Sequence, residues 1–214
     1  MAYLVTVDNV SKTFKEQHAL DAVSVEFEKG LVHGIIGRNG SGKTVLFKCI
    51  CGLMNPSSGC ITVNGKVIGK DIDVPESVGI IIEAPGFLPQ YSGFKNLKLL
   101  ASLSNKISNQ TIRNAIKTVG LDPDSKKRVG QYSLGMRQRL GIAQAIMEDP
   151  DLLILDEPMN GLDNDGVQDM RKLFLSLKEQ GKTLLIASHS REDIEILCDH
   201  VYEMDKGKLI RKGV

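Results

Sequence analysis

The sequence has little of several features that commonly define a protein class. Its 214 residues include no tryptophan, and no apolar run reaches the roughly 18 residues that a membrane-spanning helix needs. The few cysteines form no Cys-x-x-Cys pair, and no histidine stands at metal spacing from them, so the pattern does not indicate a zinc site. We expect buried thiols in a reducing compartment at Cys49, Cys51, Cys60 and Cys198.

The chain also lacks an excess of charge of either sign. Its 27 basic and 26 acidic residues give a net charge of +1, which offers no electrostatic case for nucleic acid or an acidic membrane surface. We therefore expect no nucleic-acid partner, and we interpret the short basic run at 126–128 as a solvated loop. No basic region precedes an apolar run at the N-terminus, so we predict no signal peptide and a cytoplasmic protein.

Apolar patterning predicts an α/β fold. Alternation at 3–10 and 22–30 predicts half-buried strands, and Asn64-Gly65 between β-prone runs predicts a hairpin. Continuously apolar runs, each suited to a buried strand, occupy 31–37, 151–158 and 182–189. The helix predicted after the first of these runs has one apolar stripe, formed by Leu46, Cys49, Ile50 and Leu53.

The segment from about 85 to 148 differs from its surroundings because helical spacing dominates and strand signals are scarce. Strands and helices alternate again after it, which favours a sheet with a mostly parallel centre. We predict a single domain. Its α/β core, with an antiparallel β part, comprises about 1–84 and 149–214, and a helical subdomain is inserted at about 85–148.

The segment GRNGSGKT at 37–44 matches Gly-x4-Gly-Lys-Thr, between an apolar strand and an amphipathic helix. Glycines let the backbone fold closely around a phosphate, and the amides at a helix N-terminus then donate to it. Lys43 would reach the β- and γ-phosphates, and the Thr44 hydroxyl would reach Mg²⁺. The alternative is a glycine-rich turn before a helix. The predicted nucleotide-binding residues are Gly37, Arg38, Asn39, Gly40, Ser41, Gly42, Lys43, Thr44 and Val45.

The segment LLILDEP at 152–158 supplies the carboxylates that such a loop needs. Asp156 is expected at the carboxyl end of a buried strand as a Mg²⁺ ligand, and Glu157 beside it would activate the attacking water. An acidic turn is the alternative for this motif alone. His189 ends the next strand, where a structural role and contact with a γ-phosphate both stay open. Ser133 opens a helix and reads either as a second phosphate site or as a plain N-cap.

Five segments in order, GRNGSGKT, SLGM, LLILDEP, NGLD and IASHS, resemble the ATP-binding subunit of ABC transporters over essentially the whole chain. IIIEAPGF and YSLGMRQRLGIA further resemble the bacitracin- and lantibiotic-type exporters. The resemblance implies a P-loop (RecA-like) core, ATP hydrolysis with ATP and Mg²⁺, and a homodimer that encloses two ATP molecules head to tail. It also implies a separate transmembrane subunit, which would hold the chain at the cytoplasmic face of the membrane and export a peptide antibiotic or lipid-like substrate.

The resemblance assigns further roles. Phe14 would stack on adenine, unless it is a core aromatic; Asp163 would lie in the loop that crosses between subunits, and His189 would be the switch histidine. The signature that contacts the partner's ATP would be Ser133, Leu134, Gly135 and Met136. Tyr132, Leu134 and Met136 depart from the usual Leu-Ser-Gly-Gly-Gln form of that signature, and Val45 stands where a hydroxyl is common.

Glu83 stands where most relatives have a glutamine that touches Mg²⁺ and the membrane subunit. We include it with Thr44 and Asp156 in the predicted metal group, although a charged loop residue is the alternative. The membrane subunit is expected to dock near 83–94, where Phe87, Tyr91 and Phe94 line either a groove or the core.

Two other functions remain open at this point. One is a soluble ABC-type ATPase that acts on ribosomes or DNA, although the chain has neither a second cassette nor a long coiled coil. The other is a P-loop switch protein with little turnover. The segment from Asn105 to Ser108 lacks the aspartate of a guanine-reading motif, which disfavours a GTPase.

Overall fold

The computed structural model describes residues 2–104 and 107–212, and the Ser104 side chain is not included in the description. Asn105 and Lys106, the first residues of the segment compared with a guanine-reading motif, lie outside the described residues. No helix in the described part of the chain has the length and apolar character that crossing a membrane would require.

An antiparallel sheet of four strands, in the order β2-β1-β4-β5, comes first in the chain. Its strands are β1 (Tyr3–Phe14), β2 (Gln17–Glu28), β4 (Ser58–Val63) and β5 (Lys66–Val67). Asn64 and Gly65 both have positive φ, 50° and 78°, in the two-residue turn between β4 and β5. The predicted hairpin is confirmed.

A second sheet of six strands has the order β10-β9-β3-β8-β7-β6, in which only β10 runs antiparallel to its neighbour. Its strands are β3 (Val32–Ile36), β6 (Val78–Ile81), β7 (Leu152–Asp156), β8 (Thr183–Ala187), β9 (His200–Asp205) and β10 (Lys208–Lys212). All five residues of β8 are buried, as expected for a central parallel strand covered on both faces.

The helices fall into two groups along the chain. Those of the α/β part are α1 (Lys43–Ile50), α5 (Asn164–Glu179) and α6 (Arg191–Leu197), and those of the middle segment are α2 (Gly93–Ser104), α3 (Asn109–Thr118) and α4 (Leu134–Ile146). Side chains of Ser108, Ser133, Asp163 and Ser190 cap the helices that follow them.

The six-stranded sheet separates two hydrophobic cores. One lies between this sheet, α1 and the antiparallel sheet, with Phe27 and Phe47 at 0% exposure. The other lies between the opposite face and the remaining helices, with Phe174 and Leu140 at 0%. The mostly parallel α/β core, the antiparallel β part and the helical middle segment confirm the predicted fold class.

Some details differ from prediction. Leu53 is 58% exposed, because α1 ends at Ile50 and the chain turns away before reaching the predicted stripe. Cys60 is exposed, so buried thiols are found at only some of the cysteines. The sequence pattern predicted no strand at β6, which nevertheless pairs with β7 at the sheet edge.

Candidate active site

The phosphate loop joins β3 to α1 and is folded so tightly that two of its positions have no room for a side chain. A Cβ atom on Gly37 would lie 2.3 Å from the carbonyl oxygen of Met204, and one on Gly42 would lie 2.5 Å from that of Ala19. Gly37 and Gly42 also have φ of +153° and +119°. The glycines at these two positions are therefore required by both backbone conformation and space.

Helix α1 begins without a side-chain cap: Gly42 holds the N-cap position in a left-handed conformation, and the first turn carries no acidic residue. The amide groups of this turn thus retain their donor capacity and the partial positive charge of a helix start. Lys43 is only 7% exposed, and its Nζ donates to the carbonyl oxygens of Gly37 (2.7 Å) and Arg38 (3.2 Å). The loop therefore combines a cradle of donors with a cation held inside it.

A hydroxyl and a carboxylate meet at the carboxyl end of β7. The Oγ1 of Thr44 donates to Oδ2 of Asp156 at 2.6 Å, although the two residues are 112 positions apart. Oxygen atoms of this kind are the ligands that Mg²⁺ prefers, usually one or two from the protein with phosphate oxygens and waters completing the shell. Thr44 and Asp156 therefore fit a magnesium ion held between the protein and a nucleotide.

Glu157 and His189 form the second polar pair of the site. The Nδ1 of His189 lies 2.8 Å from Oε2 of Glu157, and a carboxylate can only accept, so the imidazole N–H is the donor. Glu157 has a left-handed backbone with φ of +51°, and its amide donates to the carbonyl of Ala187 at 2.9 Å. That bond ties the end of β7 to β8 and turns the Glu157 side chain toward His189.

One cavity of ≈ 550 Å³ contains most of these groups. It is lined by the predicted residues Asn39, Gly40, Gly42, Lys43, Thr44, Val45, Glu83, Leu134, Asp156 and Glu157, and by Gln17, Ala19, Ala84, Gln138 and Asn160, which the sequence analysis did not single out. Gln138 is 7% exposed, and its Nε2 donates to the carbonyl of Pro158 at 3.0 Å. The sequence carries no signal for Gln138, because its burial and this hydrogen bond are evident only in the folded chain.

Four predicted nucleotide-binding residues lie beside this cavity without lining it. Gly37 and Arg38 border a neighbouring cavity of ≈ 1070 Å³ together with His189. Ser41 is 6% exposed, and its Oγ has no hydrogen-bond partner among the described residues. Phe14 is 45% exposed, so it is not a core aromatic; it pairs across the β1–β2 ladder with Gln17, which does line the nucleotide-sized cavity.

The predicted signature lies at the start of α4. The Ser133 hydroxyl accepts from the amide of Met136 at 3.1 Å, so Ser133 is an N-cap within its own chain. Gly135 packs so closely that a Cβ atom there would lie 2.8 Å from the carbonyl oxygen of Gly161. Asp163 caps α5 through Oδ1, which accepts from the amide of Gly166 at 3.0 Å. The signature and the Asp163 loop are thus packed against each other in one chain.

Glu83 follows β6 with φ of +62°, and its Oε1 lies 2.7 Å from Nζ of Lys48 on α1. The aromatic residues beyond it are half-buried. Phe87 and Phe94 pack against the second core, whereas Nζ of Lys95 lies over the Tyr91 ring, 3.8 Å from its centroid. Phe87 and Phe94 therefore belong in part to the core, whereas a groove lined by these aromatics stays a prediction.

A phosphate loop at the end of a central parallel strand, with a carboxylate pair on a strand two positions away in the sheet, defines a P-loop nucleoside triphosphatase. The sequence profile of the ABC transporter family matches residues 20–160, and the chain belongs to that family. Within that family it is an ATP-binding subunit. It binds nucleotide and hydrolyses ATP.

Three relatives illustrate the match. The uncharacterized ABC transporter ATP-binding protein YybJ of Bacillus subtilis is 46% identical, over 96% of this chain and 94% of that protein. The bacitracin transport ATP-binding protein BcrA of Enterococcus faecalis is 39% identical, over 99% and 70%. The lantibiotic transport ATP-binding protein SrtF of Streptococcus pyogenes is 36% identical, over 97% and 89%.

Solved structures agree with the fold. CbiO1 of Clostridium perfringens, part of the transporter complex cbiONQ, superposes with a TM-score of 0.83 at 30% identity, covering 98% of this chain and 88% of that one. The cassette MJ0796, in a dimeric post-hydrolysis state bound to ADP and Pi, gives 0.87 at 21% identity, covering 98% and 100%. The identity to MJ0796 is low, so that likeness concerns the fold alone.

Proposed function

We propose that this chain binds ATP with Mg²⁺ at its phosphate loop, hydrolyses it with Glu157 as general base, and works as a homodimer on a separate membrane subunit. The observation that carries the proposal is the convergence at the carboxyl ends of β3, β7 and β8. Lys43, the Thr44–Asp156 pair and the Glu157–His189 pair all meet there.

The phosphate loop accounts for nucleotide binding. Residues 37–45 surround the triphosphate, and the uncapped amides of α1 donate to it. The Lys43 ammonium, now bonded to loop carbonyls, exchanges these weaker acceptors for charged phosphate oxygens. Ser41 gains a partner for its hydroxyl, and the exposed ring of Phe14 is available to stack on the base.

The metal fits the oxygen donors that the chain provides. Thr44 and Asp156 would hold Mg²⁺, whose chemistry at such sites is to neutralise charge on the β- and γ-phosphates. Glu83 lines the same cavity, but Lys48 pairs with its carboxylate and offsets its charge, so Glu83 has no defined place in the coordination of the ion.

Glu157 and His189 perform the hydrolytic step. The Glu157 carboxylate orients a water molecule and accepts its proton as the water attacks the γ-phosphate. His189 donates through Nδ1 to this carboxylate and fixes its orientation, while Nε2 on the opposite side of the ring is directed away from the pair. Because the His189 side chain is 71% exposed, Nε2 is accessible to a bound phosphate while Nδ1 stays bonded to Glu157.

The signature residues, 133–136, complete the site of a second copy. The Asp163 loop packs against the start of α4 within one chain, so both move as one surface toward the partner. The first turn of α4 carries no acidic residue that would repel the partner's γ-phosphate. ATP therefore joins the two copies, and hydrolysis separates them.

The Glu157→Gln variant tests both parts of this proposal. It retains the shape of the side chain but cannot accept the proton, so we expect turnover to fall by about 10²- to 10⁴-fold while ATP binding persists. ATP should then accumulate as the sandwiched nucleotide, and size-exclusion chromatography should show a dimer with ATP and a monomer with ADP.

The ADP sample and a Glu179→Gln variant serve as controls, because Glu179 is exposed at the C-terminal end of α5, far along the helix from Asp163, and does not line the nucleotide cavity. If Glu157→Gln stays monomeric at saturating ATP and high protein concentration, the sandwich is wrong. If it hydrolyses ATP at the parental rate, the general-base role is wrong.

Transport needs a membrane subunit, for which the segment 83–94 is the proposed docking surface. A cavity of ≈ 270 Å³ opens there between Leu53, Ile82 and Pro85, and Leu88 is 44% exposed nearby. The names of BcrA and SrtF support export of a peptide antibiotic, and a lipid-like substrate and a position at the cytoplasmic face of the membrane stay predictions. Purification from detergent-solubilised membranes, followed by identification of the bound membrane protein, tests this assignment.

A further inference from the structure

Arg171 is a buried cation that plays no part in the chemistry described so far. It lies in the middle of α5 and is 4% exposed. Its Nε and Nη2 both donate to Oδ1 of Asp193, the former at 2.8 Å, and its Nη1 donates to Oε1 of Glu192 at 3.0 Å. Asp193 is itself 4% exposed, so this is an ion pair almost removed from water.

The two helices joined by Arg171 both follow loops of the active site. Helix α5 begins directly after Asp163, and α6 begins two residues after His189. The first turn of α6 is held twice, because the amide of Asp193 donates to the Ser190 hydroxyl at 3.3 Å while the Asp193 carboxylate accepts from Arg171. The Arg171 side chain therefore connects the helix after Asp163 directly to the helix after His189.

The same ion pair borders the hydrolytic residues. A cavity of ≈ 490 Å³ is lined by Glu157, His189, Arg171, Glu192 and Asp193. No residue of the phosphate loop lines it. A change at Arg171 should thus reach the Glu157–His189 pair before it reaches the nucleotide-binding loop.

Packing alone does not require an ion pair here. Desolvation of two charges offsets much of their attraction, and apolar residues of similar volume often hold two helices together equally well. The guanidinium adds geometric specificity, because its planar set of N–H donors fixes the angle and distance of the carboxylate that it binds. The hydrogen bond from Arg171 also lowers the pKa of Glu192, because it stabilises the charged carboxylate.

We infer that Arg171 is a positioning residue for hydrolysis. It fixes the first turn of α6, holds the His189 imidazole against the Glu157 carboxylate, and ties that imidazole to the helix that begins at the Asp163 loop. This inference rests on the proposed roles of Glu157 and His189 and adds a residue that touches neither nucleotide nor water.

The test is a double-mutant comparison of ATP turnover by the purified chain. We expect Arg171→Met to lower kcat about tenfold or more with less than a twofold change in KM, because the phosphate loop is not involved. In the His189→Ala background the same substitution should cost less than twofold, since the group that Arg171 positions is already gone. Arg171→Lys, which keeps the charge but loses the planar set of donors, should lie between Arg171→Met and the parent.

A spectroscopic readout separates positioning from general destabilisation. In ¹⁵N-histidine spectra, Arg171→Met should shift the His189 ring resonances toward those of a freely rotating imidazole, while His18 on the distant β2 strand stays unchanged. Should Arg171→Met fail to fold, Arg171→Lys and Glu192→Gln carry the same comparison in milder form, because Glu192 is 70% exposed on its side chain.

The outcomes are distinct. An equal loss of kcat in both backgrounds, or unchanged His189 resonances in a folded variant, would overturn the positioning role. If His189→Ala alone left turnover at the parental rate, the proposed function of His189 would fail first, whatever Arg171 does.

Discussion

Helix α1 begins at Lys43 with no side chain capping it, whereas α4 begins at Leu134 beneath the hydroxyl of Ser133. Both first turns lack acidic residues, unlike those of α5 and α6, which carry Asp165 or the pair Glu192 and Asp193. Like α2 and α3, these two helix starts therefore keep the partial positive charge that α5 and α6 partly neutralise. They differ in whether their amides are already satisfied.

This difference matches what each helix start is proposed to bind. The first amides of α1 point into the phosphate loop of the same chain, where no side chain accepts their hydrogen bonds. An anion bound in the loop supplies the missing acceptors. The start of α4 is proposed to meet the partner's phosphate, and in the single chain the Ser133 hydroxyl satisfies one of its amides and stabilises the helix. The first site is completed by a ligand and the second by a partner that carries one.

The largest effect is expected from disturbing the start of α1. In Gly42→Ala the new Cβ would meet the Ala19 carbonyl oxygen at 2.5 Å with φ at +119°, so the loop must move. We expect a loss of about 3 kcal/mol or more in the free energy of unfolding, and loss of nucleotide binding, because strain and overlap act together. Denaturant unfolding and titration with a fluorescent ATP analogue measure the two effects.

Gly40→Ala is the matched control for this substitution. Gly40 also has positive φ, +78°, but a Cβ there meets nothing within 4 Å. Only the backbone preference is lost, which costs about 1–2 kcal/mol. Equal destabilisation by the two variants would mean that close packing of the loop against Ala19 is not what shapes this helix start.

A smaller effect, with a sharper contrast, is expected at the start of α4. Ser133→Ala removes the cap and should lower stability by about 1 kcal/mol, whereas Ser133→Asp keeps a capping oxygen and should leave stability nearly unchanged. In the Glu157→Gln background, both should weaken the ATP-dependent dimer, and the aspartate more strongly because its charge opposes the partner's phosphate. Thermal unfolding and analytical ultracentrifugation with ATP report these quantities.

The two substitutions distinguish a plain cap from a phosphate contact. A stable Ser133→Asp protein that forms the ATP dimer as well as its parent would show that Ser133 serves only its own helix. The dimer of Ser133→Asp should also regain strength as salt is raised, since screening reduces the added repulsion.

Local features of the site were predictable because each is encoded in one segment. The strand, glycine loop and helix at 37–44 are contiguous, and Asp156 stands at the end of an apolar run whose burial follows from composition. The cap at Ser190 follows from its spacing to Asp193. Such features depend on neighbours in sequence, which a pattern can represent.

Features that depend on distant segments were not predictable in the same way. Strand β6 has four residues and takes its identity from pairing with β7, more than 70 positions later. Gln138 is recognisable only once its amide is seen against the carbonyl of Pro158. Leu53 has the spacing of a buried stripe, but the helix ends before reaching it. In each case tertiary packing decides what periodicity leaves open.

The smallest predicted effect concerns an ion pair that such packing creates at the end of α1. Lys48 on α1 and Glu83 after β6 lie 2.7 Å apart, with side chains 26% and 65% exposed, so water screens much of their attraction. We expect Lys48→Met to weaken Mg²⁺-ATP binding about twofold, because the Glu83 carboxylate then faces the site uncompensated, and to have no effect in the Glu83→Gln background.

The control is the pair between Lys66 on β5 and Glu76, which has the same 2.7 Å separation and does not line the nucleotide cavity. Lys66→Met should leave nucleotide affinity unchanged. Equal effects of Lys48→Met with and without Glu83, measured by ATP titration at several Mg²⁺ concentrations, would show that Lys48 acts on the triphosphate directly. The cation at the end of α1 would then belong with Lys43 to the phosphate-binding part of the site, and Glu83 would need another means of balancing its charge.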